Sequence, residues 1–226
     1  MRTEQTLQLV LTQPGTPTVL STNRVLRNTY WLLSLTLFFS AAVTAASAAL
    51  KLPHPGIVVT LLGFFGLLHA TTKLRNSAWG LAAVFVLTGF MGYTLGPIVS
   101  QYLSMPNGHQ VVMMAMGGTA TIFVGLSAYA LTSRKDFSFM GGFLLAGIIV
   151  AFLAGLGAIF FQVPALSLTI SAAFVLLMGG LILFETSRIV HGGETNYIMA
   201  TVSLYVSIYN LFSSLLSLIG FGGSDK

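Results

Sequence analysis

The chain contains no cysteine. That excludes disulfides, thiolate-held metals and a cysteine nucleophile, and it leaves the redox compartment unreadable from thiol usage. Charge is almost as scarce: Asp, Glu, Lys and Arg together make up 7% of the 226 residues, against roughly 25% in soluble domains. A domain so poor in charge has little to hold its exterior in water. A bilayer demands no such charge, and the 55% apolar content and mean hydropathy of +0.88 suit that solvent. Ten basic residues against five acidic ones leave a net charge of +5. They stand singly or in pairs between apolar runs, a pattern that serves membrane topology rather than a nucleic-acid-binding patch. No nucleic-acid partner is expected. Period-two alternation is also missing, and the apolar runs are too long for strands.

What is present is a series of seven apolar segments, each near the 17 to 25 residues or so that a crossing helix needs. They run approximately over residues 30–50, 56–72, 79–100, 111–132, 139–161, 164–184 and 197–220. The expected fold is all-α: a polytopic membrane domain of seven transmembrane helices over 29–226, preceded by a tail over 1–28. That tail carries Pro14 and Pro17 and shows no evident helical face, so a flexible or weakly structured state is expected. The first apolar run is long enough to span, which makes it a helix and insertion signal rather than a cleaved leader. Only Gln162 and Val163 separate the fifth and sixth segments, which predicts a tight hairpin around Pro164.

Loop charge gives direction. Arg2, Arg24, Arg27, Lys73, Arg75, Arg134, Lys135 and Arg188 fall on one side, eight in all, against Lys51 and Lys226 on the other. By the positive-inside rule the N-terminus is cytoplasmic and the C-terminus lies across the membrane.

Motifs for catalysis are absent. There is no GxSxG elbow, no HExxH and no phosphate loop, and no pair of intramembrane aspartates, so neither enzyme activity nor a cofactor is expected. His191 and Glu194 stand three apart, but Gly192 and Gly193 between them disfavour the continuous helix that would aim both at one ion. No metal site is expected there.

Other residues invite a role. Ser203, Ser207, Asn210, Ser214 and Ser217 are spaced four, three, four and three, which puts them on one face of the seventh helix. A mid-span amide such as Asn210 is costly in hydrocarbon, so this face should turn inward, toward interhelical hydrogen bonds or a hydrated cavity. Glu185 is the one carboxylate at a span boundary, a position that makes it a functional candidate. Arg188, three residues on, offers it an ion pair. His69, one turn before Lys73, is expected to be a hydrogen-bonded bundle residue, with pH sensing the alternative. Gly92 and Gly96, and Gly147, Ala151 and Gly155, are small residues at helix-packing intervals.

The stretch Gly89–Ile98, GFMGYTLGPI, resembles the signature of the Bax inhibitor-1 family of seven-helix membrane proteins. VLRNTYWLLSLTLFFSA from Val25, TSRKDFSFMGG from Thr132, ILFETSRIVHGGETNYI from Ile182 and SLYVSIYNLFSSLL from Ser203 are similar to its YccA branch, which modulates the FtsH protease. The resemblance spans nearly the whole chain from Ser21. It implies an inner-membrane protein that binds FtsH, a membrane-anchored ATP-dependent metalloprotease, and restrains it. It also implies that the N-terminal tail is engaged by the protease, which makes Arg2, Glu4, Arg24 and Arg27 the candidate partner contacts.

Other members of the family resemble pH-sensitive calcium leak channels, in which a carboxylate on the sixth helix pairs with an aspartate on the seventh. Glu185 matches the first position; at the second this chain has Ser207. One carboxylate and a serine lack the mutual repulsion that raises a pKa, and they offer a divalent cation fewer hard oxygens. Glu185, Ser207 and Asn210 remain the candidate ion- or proton-sensing set, with calcium the weakened ligand and the channel the alternative to the regulator.

Overall fold

The computed structural model describes residues 19–161 and 164–222. It contains seven long helices: α1 Val19–Ala49, α2 Ile57–Leu74, α3 Trp79–Leu103, α4 Gly108–Ser133, α5 Gly141–Phe161, α6 Pro164–Val190 and α7 Tyr197–Gly222. A 3-10 turn, Ser138–Met140, leads into α5. Each helix is long and apolar enough to cross a bilayer, so the seven expected spans are borne out. Residues 162 and 163, and with them the geometry of the expected hairpin, lie outside the described residues.

The first helix differs from expectation at its start. It begins at Val19, within the stretch read as tail, and its 31 residues extend about 46 Å at 1.5 Å per residue, beyond the roughly 30 Å hydrocarbon layer. The cause is packing. Val25 and Leu26 lie against the main core cluster and Thr29 and Leu33 are buried, while Asn23, Arg24 and Arg27 take the exposed side. A helical face exists there, but it is narrow and flanked by polar residues. The rest of the tail, including Arg2 and Glu4, lies outside the described residues.

The bundle is built around α7, which packs against α1, α3, α4 and α6, while α2 is held mainly by α3 and α5 by α6 and the 3-10 turn. Buried Leu33, Leu87, Ile198, Leu204 and Tyr205 form one cluster and Met178, Ile182 and Leu211 another, so α7 contributes to both. The periphery is apolar and exposed, as at Phe38, Leu62, Phe143 and Leu176. That is the distribution a lipid solvent allows, since lipid chains are as apolar as the interior.

The closest seam joins α1 and α3. A Cβ on Gly92 would fall 2.5 Å from the Ser40 carbonyl oxygen, and one on Gly96 would overlap the Ser47 side chain. These two glycines therefore set the spacing, as their four-residue interval predicts. Pro97 adds a second reason for the approach. A proline inside a helix removes the N–H that the carbonyl four residues earlier would accept from, which here is that of Tyr93. Ser47 Oγ of α1 donates to that carbonyl oxygen at 3.1 Å. One turn away, Thr44 Oγ1 donates to the Gly92 carbonyl at 3.0 Å. The GP pair thus frees an acceptor and clears the path for its replacement donor.

Candidate functional site

The α2–α3 and α4–α5 connections, which carry Arg75, Arg134 and Lys135, share one end of the bundle with the α6–α7 connection. At that end the last turn of α6 gathers the polar chemistry. Arg188 Nη1 lies 3.5 Å from Glu185 Oε2, and its Nη2 lies 3.6 Å from Glu194 Oε2 in the following loop. The same guanidinium stands over the Phe184 ring, 5.5 Å from its centre. The ion pair expected between Glu185 and Arg188 is present, and Arg188 is shared with a second acid. Glu185 itself is buried, and its Oε2 accepts no hydrogen bond among the described residues. A buried carboxylate balanced by one partly exposed arginine depends on that cation staying in place.

Two hydrogen-bonded clamps tie the loops at this end. In the first, Ser187 Oγ donates to the Lys135 carbonyl at 3.1 Å and accepts from the Phe137 N–H at 3.0 Å. His191 Nε2 lies 3.0 Å from the Arg134 carbonyl oxygen and its Nδ1 lies 2.9 Å from the Ser187 carbonyl oxygen, so each ring nitrogen faces a backbone acceptor. His191 is thus engaged with backbone, and no group of three or more His, Asp or Glu side chains suited to an ion occurs among the described residues. Beside this clamp Asp136 accepts from the hydroxyl and N–H of Ser138, and these bonds hold its carboxyl below the ordinary aspartate pKa.

In the second clamp, Asn196 caps α7. Its Oδ1 accepts from the N–H groups of Ile198 and Met199, and its Nδ2 donates to the Arg75 carbonyl and to Asn76 Oδ1. One side chain therefore satisfies a helix N-terminus and fastens the α2–α3 loop.

The seventh-helix stripe differs from expectation. Ser207 and Ser214 are buried, but Ser203, Asn210 and Ser217 are only half-buried. Ser207 Oγ donates to the Ser203 carbonyl and Asn210 Nδ2 to the Val206 carbonyl, both one turn back on the same helix. Their polarity is satisfied locally rather than between helices, because a short side chain finds its own i−4 carbonyl within reach. Among the described residues no hydrogen bond joins Glu185 to Ser207 or Asn210. His69 is exposed on α2 and makes no hydrogen bond among the described residues, contrary to its expected place in the bundle.

The interhelical bonds of α7 come instead from Thr201, whose Oγ1 donates to the Thr29 carbonyl of α1 at 3.3 Å, and from two tyrosines that the serine spacing overlooks. Tyr205 is fully buried; its hydroxyl bonds to Ser40 Oγ of α1 and donates to the Thr88 carbonyl of α3. Tyr209, one turn on, meets Thr94 Oγ1 of α3 at 3.0 Å. A tyrosine reaches across where a serine cannot. The signal was present as two tyrosines four apart within an apolar helix, since a phenol in a membrane interior needs a partner.

These features define a multi-pass α-helical membrane protein whose loops are tied together at its basic end and whose polar interior is centred on the seventh helix. The chain belongs to the Bax inhibitor-1 family: the family described as Inhibitor of apoptosis-promoting Bax1 matches residues 22–224. It is 58% identical over 207 residues to the Modulator of FtsH protease YccA of Escherichia coli, covering 92% of this chain and 94% of that one. An uncharacterised Pseudomonas aeruginosa protein is 59% identical over 201 residues, 89% of this chain and 90% of its own. An uncharacterised membrane protein of Vibrio cholerae is 49% identical over 202 residues, 89% and 91% respectively.

Proposed function

We propose that this protein binds FtsH in the bacterial inner membrane and restrains its proteolysis, without catalysis of its own. The observation that carries the reading is the 58% identity to the Escherichia coli modulator along 92% of the chain. Loop charge supports a cytoplasmic N-terminus and a periplasmic C-terminus. The 1–28 segment, with Arg2, Glu4, Arg24 and Arg27, then lies on the side where an ATP-dependent protease works, and Arg24 and Arg27 are exposed on the first turns of α1. The test is co-purification from mild detergent together with turnover of a reporter substrate. FtsH should be recovered with the chain, and raising the chain's level should slow degradation. Failure of both would remove the proposal.

The burial of Glu185, whose Oε2 accepts no hydrogen bond among the described residues, favours a second reading, a proton-sensitive cation leak at the basic end. Calcium-dye-loaded liposomes decide it: flux indifferent both to pH and to Glu185→Gln would eliminate it.

A further inference from the structure

Between the α2–α3 and α6–α7 loops lies a pocket of about 370 Å³, lined by Arg75, Asn76, Ser77, Thr195 and Asn196 on its polar side and by Leu81 and Ile198 on its apolar side. We propose that it binds the phosphate headgroup of an anionic phospholipid, with the lipid's glycerol and upper acyl chain along Leu81.

The polar wall can mainly donate. The Arg75 guanidinium has no acid partner among the described residues, and no carboxylate lines the pocket. Asn76 Oδ1 is occupied by Asn196, which leaves the Asn76 amide N–H groups directed elsewhere, and the Thr195 hydroxyl makes no hydrogen bond among the described residues. Glu194, next in sequence to Thr195, is already held by Arg188. Such donors around an unpaired cation suit an anion with several acceptor oxygens. The level is right for a lipid. Trp79 and Tyr197 open their membrane spans, so Arg75, Asn76 and Thr195 lie just outside the hydrocarbon, in the belt where aromatic and basic anchors meet headgroups. The apolar half of the wall selects an amphiphile over a free phosphate, which has no use for Leu81 or Ile198.

The two tryptophans, Trp31 and Trp79, allow a direct measurement. Trp79 adjoins the pocket wall at Ala78 and is exposed. A Trp31→Phe chain, leaving Trp79 as the sole tryptophan, is reconstituted in phosphatidylcholine vesicles. These carry increasing fractions of acyl-brominated phosphatidylglycerol or acyl-brominated phosphatidylcholine. Quenching should reach half its maximum at about a fivefold lower fraction of the anionic lipid, the scale of one basic residue near an anionic surface. Arg75→Gln should abolish that preference, whereas Arg134→Gln, on another loop of the same face, should leave it intact. The Arg75 side chain does not itself hold the loops together; its backbone carbonyl does, so the variant should still fold.

Equal curves for the two lipids would overturn the proposal. So would equal losses in the Arg75 and Arg134 variants, which would mean a diffuse basic surface. Displacement of the effect by soluble glycerol phosphate would overturn the lipid assignment in favour of a free anion.

Discussion

Pro97 and Ser47 should be thermodynamically coupled although they lie on different helices. The Tyr93 carbonyl has no N–H four residues on and accepts from Ser47 Oγ instead. Ser47→Ala removes that donor and leaves the carbonyl without a partner. Buried polar groups left unpaired cost about 1–3 kcal/mol, and interhelical hydrogen bonds measured in a membrane bundle contribute about 0.6 kcal/mol on average and at most about 1.7. A loss of about 1–2 kcal/mol is therefore expected. Pro97→Ala restores an N–H at position 97, which can close the ordinary helical bond to Tyr93. In that background the same Ser47→Ala change should cost less than about 0.5 kcal/mol, a coupling of about 1 kcal/mol. Loss of the serine's own packing occurs in both backgrounds and cancels. The assay is reversible unfolding in mixed micelles titrated with SDS, run on the four members of the cycle. Equal Ser47→Ala costs with and without the proline would refute the argument that the serine replaces the missing N–H.

Four further outcomes follow from the same geometry. Gly92→Ala should destabilise by about 1–3 kcal/mol, because its methyl meets the Ser40 backbone, whereas Gly66→Ala, whose methyl meets nothing within 4 Å, should be neutral or gain up to about 1 kcal/mol of helix propensity; thermal melts in detergent compare them. Arg188→Ala should lower stability more than the double change Arg188→Ala with Glu185→Gln, since the single change leaves a buried carboxylate uncompensated. Asn196→Ala should lose about 1–2 kcal/mol through the α7 cap and raise amide exchange in the 75–78 loop. The Asp136 carboxyl titrates below its ordinary value, so what it adds to stability is present above the unfolded pKa and fades as pH falls through the lower folded one. Wild type and Asp136→Ala should accordingly differ at pH 7 and converge in acid below about pH 4.

How much of this was legible beforehand depended on the length scale of the signal. Spans were readable because twenty consecutive apolar residues have few other uses. The Gly92–Gly96 pair was readable because a small residue every fourth position marks close backbones. The start of α1 at Val19 was not, since its face rests on Val25, Leu26 and Thr29 amid polar neighbours and becomes visible only against the partner that buries it. Glu185 and Arg188 share a helix, so spacing alone paired them. Glu194 joined them through a loop turn, where Gly192 takes a positive φ of 73°, and no helical spacing rule reaches across that. Within the polar stripe on α7, Ser207 and Asn210 bond to carbonyls one turn back on their own helix. Periodicity gives direction around a helix, but side-chain length decides whether a polar group reaches a neighbour or folds back.

The central position of α7 constrains the order in which the molecule can be completed. Six of the seven long helices described precede it, and among them Ser40 Oγ, the Thr88 carbonyl and Thr94 Oγ1 hydrogen-bond with Tyr205 or Tyr209. During synthesis α1 and α3 can already meet along their glycine seam, but the pair keeps an open polar notch facing lipid until the seventh segment is inserted. Arrival of two phenols then closes that notch. A chain halted before this step differs from a finished one by exposed polarity within the bilayer, a difference that membrane quality control could read without recognising any sequence.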